Sequence, residues 1–346
     1  MIRRIHLALA GTLILLAVPL FVSPVAAHGP GQTDRDRTLA HWTKARMSSA
    51  KPRDILTLDR RLSPVHSTTA IPMPQAANSG GQSWPTGTAN AGGLIARVSG
   101  RVYFELGTAP NISAYVCSGS VVNDGRPGYS LVLTAGHCVY DQSLGWATFW
   151  MFVPQADGLP VVPTCDQSPR GCWTATSLVA HSRFTTATGF NGTTARYDFG
   201  FAVVGAGGLD GQTQLDADSP LDADTNPDSL PIAYSGVAKG NTLYAFGYPV
   251  AAPYNGTDLV YCSGPVVQDL FNANATWGLT CNMTGGASGG PWLSGYNESI
   301  GVGTLASLNS YRYSFSNRMY GPKFNTYTQA VYNAANAAVS GNVAVL

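Results

Sequence analysis

Residues 284–292 read TGGASGGPW and hold a single serine, Ser288, between four glycines. Glycine loses more conformational freedom on folding than any other residue, so this backbone is costly to order. Such a backbone is useful where main-chain N–H groups must point at a reacting atom beside a hydroxyl. We therefore predict that Ser288 is a nucleophile, and the fold then depends on which histidine and which carboxylate serve it.

His137 is the candidate base for this serine. A serine hydroxyl is a weak nucleophile unless a base accepts its proton and an acid orients that base. Four of the six histidines precede residue 67, which leaves His137 in LVLTAGHCVY and His181 in LVAHSRF. His137 ends an apolar run and adjoins Cys138, whose disulfide would restrict the position of the imidazole. We predict His137 as the base and His181 as a surface or strand-end residue.

Asp198 is the candidate acid. It directly precedes an apolar run in ARYDFGFAVV, so its carboxylate is expected to be enclosed and to need a donor. The alternative is an aspartate that ends a loop or caps a turn. With Asp198 the chain order is His, Asp, Ser.

The chain order excludes one common fold. The sequence GASGG also matches the G-x-S-x-G turn of α/β-hydrolases, in which the acid and then the histidine follow the serine. No aspartate and no histidine follows Ser288, so that arrangement cannot form here.

The composition predicts a globular all-β protein. Of the 346 residues, 45% are apolar and only 11% are charged, while 39 glycines and 22 prolines indicate many turns. From about Ile95, short runs such as RVYFEL, SLVLTA and TLYAFGYPV are rich in β-formers and do not alternate with helical segments. Only residues 325–339 carry apolar side chains at helical spacing, which predicts a C-terminal helix.

The N-terminal region predicts export and later processing. Two arginines precede an apolar run over residues 7–22, and residues 25–27 supply a small-residue cleavage pattern, so residues 1–27 are a signal peptide. A membrane anchor is the alternative, but the run is short and contains Pro19. Residues 28–91 are polar and then rich in Pro, Gly, Ser and Asn, which is typical of a pro-segment and linker. Arg60 and Arg61 are a candidate processing site.

The charges of the chain are unevenly distributed. Residues 28–61 carry eight basic against four acidic residues, and residues 62–346 carry ten against fifteen. An acidic, charge-poor body does not suit nucleic acid, which needs a basic surface. The aspartates of residues 216–228 could hold Ca²⁺, but they lack the glycine and terminal glutamate of an EF-hand loop. We interpret this stretch as a solvated connector and expect no metal.

Six cysteines in a secreted chain predict three disulfides, for which 15 connectivities exist. We expect pairing between neighbours along the chain: Cys117 with Cys138, Cys165 with Cys172, and Cys262 with Cys281.

Three ordered motifs, LTAGHC, YDFGFAVV and TGGASGGPW, with FGYP before the last, resemble the catalytic segments of chymotrypsin-like (trypsin-like) serine proteases. The details are most similar to secreted microbial enzymes of the glutamyl-endopeptidase branch. The sequences WTKARM and MYGPKFNTYTQAVYNAA resemble the pro-segment and C-terminal helix of such proteins. The resemblance covers about residues 92–340. It implies two six-stranded antiparallel β-barrels, with His137 and Asp198 on the first (92–230) and Ser288 on the second (231–346).

The resemblance also implies roles around the nucleophile. The backbone N–H groups of Gly286 and Ser288 would form the oxyanion hole. The residue before the nucleophile is Ala287, where animal digestive proteases have an aspartate that pairs with the new N-terminus. We therefore expect an oxyanion hole that does not depend on such an ion pair.

The specificity pocket departs from that of trypsin. Asn282 stands six residues before Ser288, where trypsin has an aspartate that attracts Arg or Lys, so trypsin specificity is disfavoured. The glutamyl-endopeptidase branch has a histidine on the strand after the nucleophile, but the stretch IGVGTLA has Gly303 near that place. We predict that Asn282, Met283 and Thr304 line the pocket, and its preferred residue stays open.

The sequence as a whole predicts a secreted, monomeric serine endopeptidase that cleaves proteins or peptides without a metal or organic cofactor. It predicts no nucleic-acid partner and no membrane association after the signal peptide is removed. Two alternatives stay open: a non-catalytic relative that uses the cleft for binding, and an esterase with the same triad.

Overall fold

In this computed structural model of the protein, the structure describes residues 34–57, 64–65, 81–85, 92–124, 129–205 and 228–346. The predicted signal peptide, Arg60, Arg61 and the acidic stretch as far as residue 227 lie outside the described residues.

The described chain begins with two short helices and four short strands. These are α1 (Asp34–His41), α2 (Lys44–Ser49), β1 (Lys51–Pro52), β2 (Leu56–Thr57), β3 (Pro64–Val65) and β4 (Gln82–Ser83). The Thr43 side chain caps α2 by accepting a hydrogen bond from the N–H of Arg46 at 3.3 Å. Trp42 and Met47 are buried in one apolar cluster with Tyr103, which anchors this region on the first barrel.

The first half of the chain folds into a closed barrel. Its elements are α3 (Gly93–Val98), β5 (Ser99–Leu106), β6 (Ser113–Val122), β7 (Ser130–Thr134), β8 (Tyr140–Asp141), β9 (Gly145–Trp146), β10 (Thr148–Pro154), β11 (Trp173–His181), α4 (Ser182–Thr185) and β12 (Gly200–Val204). Antiparallel pairing runs in the order β6-β5-β10-β11-β12-β7, and β6 also pairs with β7, which closes the barrel. Every residue of β5, β7 and β12 is buried, so the ladder is covered on both faces.

The second half forms two sheets around one core. Its strands are β13 (Thr242–Gly247), β14 (Val260–Pro265), β15 (Val267–Gln268), β16 (Thr276–Thr280), β17 (Pro291–Asn297), β18 (Val302–Leu308), β19 (Tyr311–Tyr313) and β20 (Arg318–Pro322). Their order is β18-β17-β13-β14-β4 in one sheet and β15-β16-β20-β19-β2-β3 in the other. Leu243, Leu279 and Trp292 pack together between these sheets. The short strands β2, β3 and β4 therefore extend the sheets of the second half, whereas β1 pairs with β6 of the first barrel.

The chain ends with the predicted helix and a short strand, α5 (Thr326–Ala337) and β21 (Val343–Val345). Asn325 caps α5 by accepting the N–H of Tyr327 at 2.8 Å, and the buried residues Val331 and Ala335 lie one turn apart on the face toward the barrel. Strand β21 pairs in parallel with β11 of the first barrel.

The predicted all-β fold with a C-terminal helix is confirmed. All three expected disulfides are also present: Cys117–Cys138, Cys165–Cys172 and Cys262–Cys281. The domain boundaries at residues 92, 230 and 231 stay a prediction.

Candidate active site

His137 lies on a 3₁₀ turn, Gly136–Cys138, that directly follows Ala135 at the end of strand β7. Its side chain is only 1% exposed. Cys138 is joined to Cys117 on β6, so the backbone beside the imidazole is held by a covalent link to a barrel strand. The predicted disulfide is therefore present beside this imidazole and restricts the backbone that carries it.

Asp198 lies between the 3₁₀ turn Thr194–Tyr197 and strand β12, and it is completely buried. Its Oδ1 accepts the backbone N–H of His137 at 2.8 Å, and its Oδ2 lies 2.8 Å from His137 Nδ1. A buried carboxylate is stable only when such donors surround it. The contact assigns the ring proton to Nδ1 and leaves the Nε2 lone pair free to accept a proton.

Ser310 supplies a third donor to this carboxylate. It follows β18, is 1% exposed, and donates its hydroxyl proton to Asp198 Oδ2 at 2.5 Å. Sequence reasoning missed this residue, because Ser310 is one of several serines in LASLNSYRYS. Only its place beside a carboxylate 112 residues away distinguishes it from the others.

Ser288 lies in the loop between β16 and β17 of the second half, which we call the second barrel, and its backbone is hydrogen-bonded to the first barrel. Its carbonyl accepts the N–H of Ser118 on β6 at 2.7 Å. Ser118 adjoins Cys117, which is bonded to the cysteine beside His137. The nucleophile candidate and the base candidate are therefore positioned through the same strand of the first barrel.

Two glycines beside Ser288 are required by the shape of the loop. Gly286 has φ = +99°, and a Cβ there would lie 2.7 Å from Val250 Cγ2. Gly289 has φ = +84°, and a Cβ there would lie 2.2 Å from Thr134 Oγ1. Side chains rarely adopt this backbone region, and neither position has room for one.

Three polar groups of the site are open within the part of the chain that the structure describes. The backbone N–H groups of Gly286 and Ser288 have no hydrogen-bond acceptor there, and His137 Nε2 is buried without a partner. Buried polar groups are usually paired, so such exceptions require an explanation. A base nitrogen without a partner and two backbone donors without an acceptor, one on Ser288 itself and one two residues before it, are groups that acyl transfer needs.

The comparison with protein families agrees with this chemistry. The trypsin-like peptidase domain matches residues 117–302, a range that includes His137, Asp198 and Ser288. The chain belongs to the trypsin-like peptidase family. It is therefore a serine-type peptidase, and members of this family act on proteins or peptides.

Solved structures of proteases share the fold. Protease Anisep from Arthrobacter nicotinovorans is 37% identical, with a TM-score of 0.55 over 70% of this chain and 96% of that one. The thermostable serine protease AL20 from an extremophilic microorganism is 31% identical, with a TM-score of 0.56 over 71% of this chain and 100% of that one. A Glu endopeptidase at 18% identity, with a TM-score of 0.50 over 76% of this chain and 99% of that one, shares the fold alone. No curated protein gives a significant sequence match to the chain.

Asn282 and Met283, 7% and 0% exposed, lie in the loop between β16 and β17, which we call the nucleophile loop after the predicted role of Ser288. Asn282 Oδ1 accepts the backbone N–H of Gly81 at 2.6 Å and the hydroxyl of Tyr254 at 2.7 Å. The Gly81 contact crosses 201 residues of sequence and was not foreseen. Thr304 lies on β18 opposite Ser294 of β17. The predicted role of these three residues in substrate binding stays a prediction.

The loop around Ala287 is held by a buried amide. Asn309 Nδ2 donates to the carbonyls of Ala287 at 3.0 Å and Phe246 at 2.7 Å, and its Oδ1 accepts Trp292 Nε1 at 2.7 Å. These bonds position the loop at the place where an aspartate would form an ion pair in digestive relatives. The expected independence of the oxyanion hole from the N-terminus stays a prediction.

Residues 51–57, which we call the cleft segment, cross the site from one barrel to the other. Strand β1 pairs in parallel with β6, and strand β2 pairs in parallel with β19. Between these strands the segment passes over the nucleophile loop, since a Cβ on Gly285 would lie 2.9 Å from the Cβ of Asp54 and 3.0 Å from the Cβ of Pro52. In this structure the cleft is therefore occupied by the protein's own N-terminal region.

Among the described residues, the only cluster of potential metal ligands is Cys117, His137 and Cys138, and its two sulfurs are joined in a disulfide. Within the same residues, no helix has the length and apolar character that crossing a bilayer requires.

Proposed function

We propose that the protein is a secreted serine endopeptidase, made with a signal peptide at residues 1–27 and a pro-segment within residues 28–91. Ser288, His137 and Asp198 form its catalytic triad. The observation that carries this proposal is the pairing of His137 Nδ1 with Asp198 at 2.8 Å while Nε2 has no partner within the described chain.

The first half of the reaction forms an acyl-enzyme. His137 Nε2 accepts the hydroxyl proton of Ser288 as Oγ attacks the scissile carbonyl carbon, and a C–O bond forms. Asp198 stays ionised and stabilises the charged imidazolium. The imidazolium then donates its proton to the amide nitrogen of the leaving peptide as the C–N bond breaks.

The second half regenerates the enzyme. A water molecule loses a proton to His137 and attacks the acyl carbon, and the proton then returns to Ser288 Oγ as the acid product leaves. In both halves the tetrahedral oxyanion accepts hydrogen bonds from the N–H groups of Gly286 and Ser288. Each such donor lowers the barrier by about 3 to 4 kcal/mol.

Secretion is supported by the three disulfides, since disulfides persist in oxidising compartments. The role of residues 28–91 as a pro-segment is supported by the position of the cleft segment over Gly285. A chain that occupies this cleft excludes other peptides from it.

The test uses the full chain with a recognition sequence for a site-specific protease in place of residues 70–75, so that the folded chain can be cut between β3 and β4. After the cut, we expect a fluorophosphonate to label Ser288 stoichiometrically with loss of fluoride, and a peptide library to be cleaved. A His137→Gln variant should do neither. A His181→Gln variant, which changes the other buried histidine, should do both.

Two results would contradict the proposal. Absence of labelling and cleavage in the cut chain would favour the alternative hypothesis of a non-catalytic relative that uses the cleft for binding. Labelling with turnover of small esters, but no cleavage of any peptide, would favour the esterase.

A further inference from the structure

We propose that Arg312 is a specificity-determining residue, which binds an acidic side chain of the substrate on the second-barrel wall of the cleft. This inference rests on the proposed function, because it assigns a substrate class to the same site.

The occupant of the cleft shows which chemistry Arg312 accepts. Asp54 of the cleft segment places Oδ2 2.5 Å from Arg312 Nη2. The Asp54 side chain is 21% exposed, whereas that of Arg312 is 3% exposed. The carboxylate therefore approaches from the open side of the cleft, and the guanidinium belongs to the wall.

Arg312 has hydrogen-bond donors that Asp54 does not use. Its Nε and Nη1 are buried and have no acceptor among the described residues. Asp54 is also its only ion-pair partner within that part of the chain. The carboxylate of Asp269 accepts the hydroxyls of Tyr311 and Tyr313, the residues on either side of Arg312 in β19. When the cleft segment leaves, the guanidinium has no described carboxylate to replace Asp54.

Arg312 lies where a substrate must pass. It stands two residues after Ser310, whose hydroxyl bonds to Asp198. Its backbone N–H donates to the carbonyl of Ile55 at 3.1 Å, so an extended chain in this path pairs with the same strand. Asp54, directly before Ile55, packs over Gly285 of the nucleophile loop. A chain that reaches the nucleophile therefore brings a side chain within reach of Arg312.

The first-barrel wall of the cleft carries a negative charge, so the two walls bind side chains of opposite charge. Arg53 forms an ion pair with Asp141 of β8, and its guanidinium lies 4.9 Å from the ring centroid of Tyr115. Both side chains of this ion pair are buried, at 4% and 5% exposure. The dipeptide Arg53–Asp54 thus meets an anionic group on the first barrel and a cationic group on the second.

Electrostatics determines which charge on the substrate side chain Arg312 prefers. A guanidinium in the cleft wall that loses Asp54 also loses its charge partner, and a substrate carboxylate can use both the vacated donor and the donors that are unpaired now. A neutral amide makes weaker bonds to the same donors, and an ammonium group is repelled. We expect about tenfold or greater discrimination between glutamate and glutamine at the position that reaches Arg312.

The experiment uses a series of peptide substrates in which a single charged residue is moved from one position to the next. The cut full chain is incubated with otherwise neutral peptides in which a single Glu, Gln or Lys occupies each position on either side of the scissile bond, and kcat/KM is normalised to Ser288 sites titrated by fluorophosphonate. At one position we expect the Glu to Gln ratio to reach about ten or more in the unaltered chain. The ratio should fall to about one in Arg312→Gln and below one in Arg312→Glu. Lys239→Gln removes an exposed positive charge in the turn before β13 and should keep the ratio of the unaltered chain.

The outcomes separate the two proposals. If the cut chain labels and cleaves but shows no Glu preference at any position, or keeps one in Arg312→Gln, the assignment of Arg312 is overturned and the proposed function stands. If the cut chain neither labels nor cleaves, both proposals fall.

Discussion

The two barrels contribute to the candidate site in opposite ways. On the first barrel, Asp198 accepts three hydrogen bonds, two from His137 and one from Ser310 of the second. On the second, the amides of Gly286 and Ser288 have no acceptor within the described residues. In the proposed mechanism, the groups that must keep one orientation are paired, while the groups that must meet a developing negative charge have no protein acceptor among the described residues. Preorganised donors are effective because no protein acceptor competes for them.

The largest expected effect comes from Asp198 of the first barrel, whose carboxylate accepts three hydrogen bonds. Asp198→Asn should lower kcat of the cut chain on a cleaved peptide about 10⁴-fold, because the amide cannot stabilise the imidazolium and favours the wrong ring tautomer. Asp157→Asn is the matched control, since Asp157 also accepts a backbone N–H, that of Leu259 at 2.5 Å. Retention of most of the activity in Asp198→Asn would show that pairing with this carboxylate does not drive the chemistry.

A substitution at Gly286 tests the backbone donors that have no acceptor among the described residues. Gly286→Ala should lower kcat about 10²- to 10³-fold, because the new Cβ would lie 2.7 Å from Val250 Cγ2 and would displace a donor of the proposed oxyanion hole. Gly236→Ala has a similar φ of +96° but open space around it, so it separates backbone strain from displacement. Steady-state rates and thermal midpoints should be measured for both variants. An equal loss in the two would contradict the role of Gly286.

Ser310→Ala tests whether the third hydrogen bond on Asp198 matters. We expect kcat to fall about tenfold, since a hydrogen bond to a charged group contributes about 1.5 to 3 kcal/mol. Ser307→Ala is the control, because Ser307 is also buried on the same stretch and donates to the carbonyl of Pro322 at 2.8 Å. If both variants keep full kcat, Asp198 is positioned by His137 alone.

The smallest expected effect concerns the ion pair between Asp141 of the first barrel and Arg53 of the cleft segment. Burial raises the pKa of Asp141, but the hydrogen bonds from Ser143 and the charge of Arg53 outweigh burial and lower this pKa to about 2, from 3.8. Because the folded pKa is depressed, the ionised carboxylate stabilises the fold above about pH 4, and this contribution is lost as pH falls toward about 2. The full chain should lose more stability over that window than Asp141→Asn.

Urea unfolding at each pH measures this difference. Asp258→Asn, which changes an exposed aspartate, should follow the unaltered chain. Superimposable pH curves for the unaltered chain and Asp141→Asn would show that the ion pair with Arg53 adds nothing to stability.

Local sequence predicted the features that short motifs encode. His137, Asp198 and Ser288 each stand in a strand-end or glycine-rich motif, and the helix α5 begins with a capping asparagine. The disulfides followed from cysteines close together in the chain, at separations of 21, 7 and 19 residues.

The features that were missed depend on long-range contacts. Ser310 reaches Asp198 across 112 residues, Gly81 reaches Asn282 across 201, and Arg312 reaches Asp54 across 258. None of these residues has a local pattern that separates it from other serines, glycines or arginines. Their significance arises only when the fold brings two strand ends together.

The covalent continuity of the cleft segment with the body has a kinetic consequence. A ligand tethered to its own site acts at an effective concentration of about millimolar, whatever the dilution of the protein. Parallel pairing is slightly weaker per residue than antiparallel pairing, so the tether sustains an occupancy that a free peptide of this sequence would have only in excess. One cut in the connecting chain abolishes that advantage, and dilution then makes departure of the segment effectively irreversible.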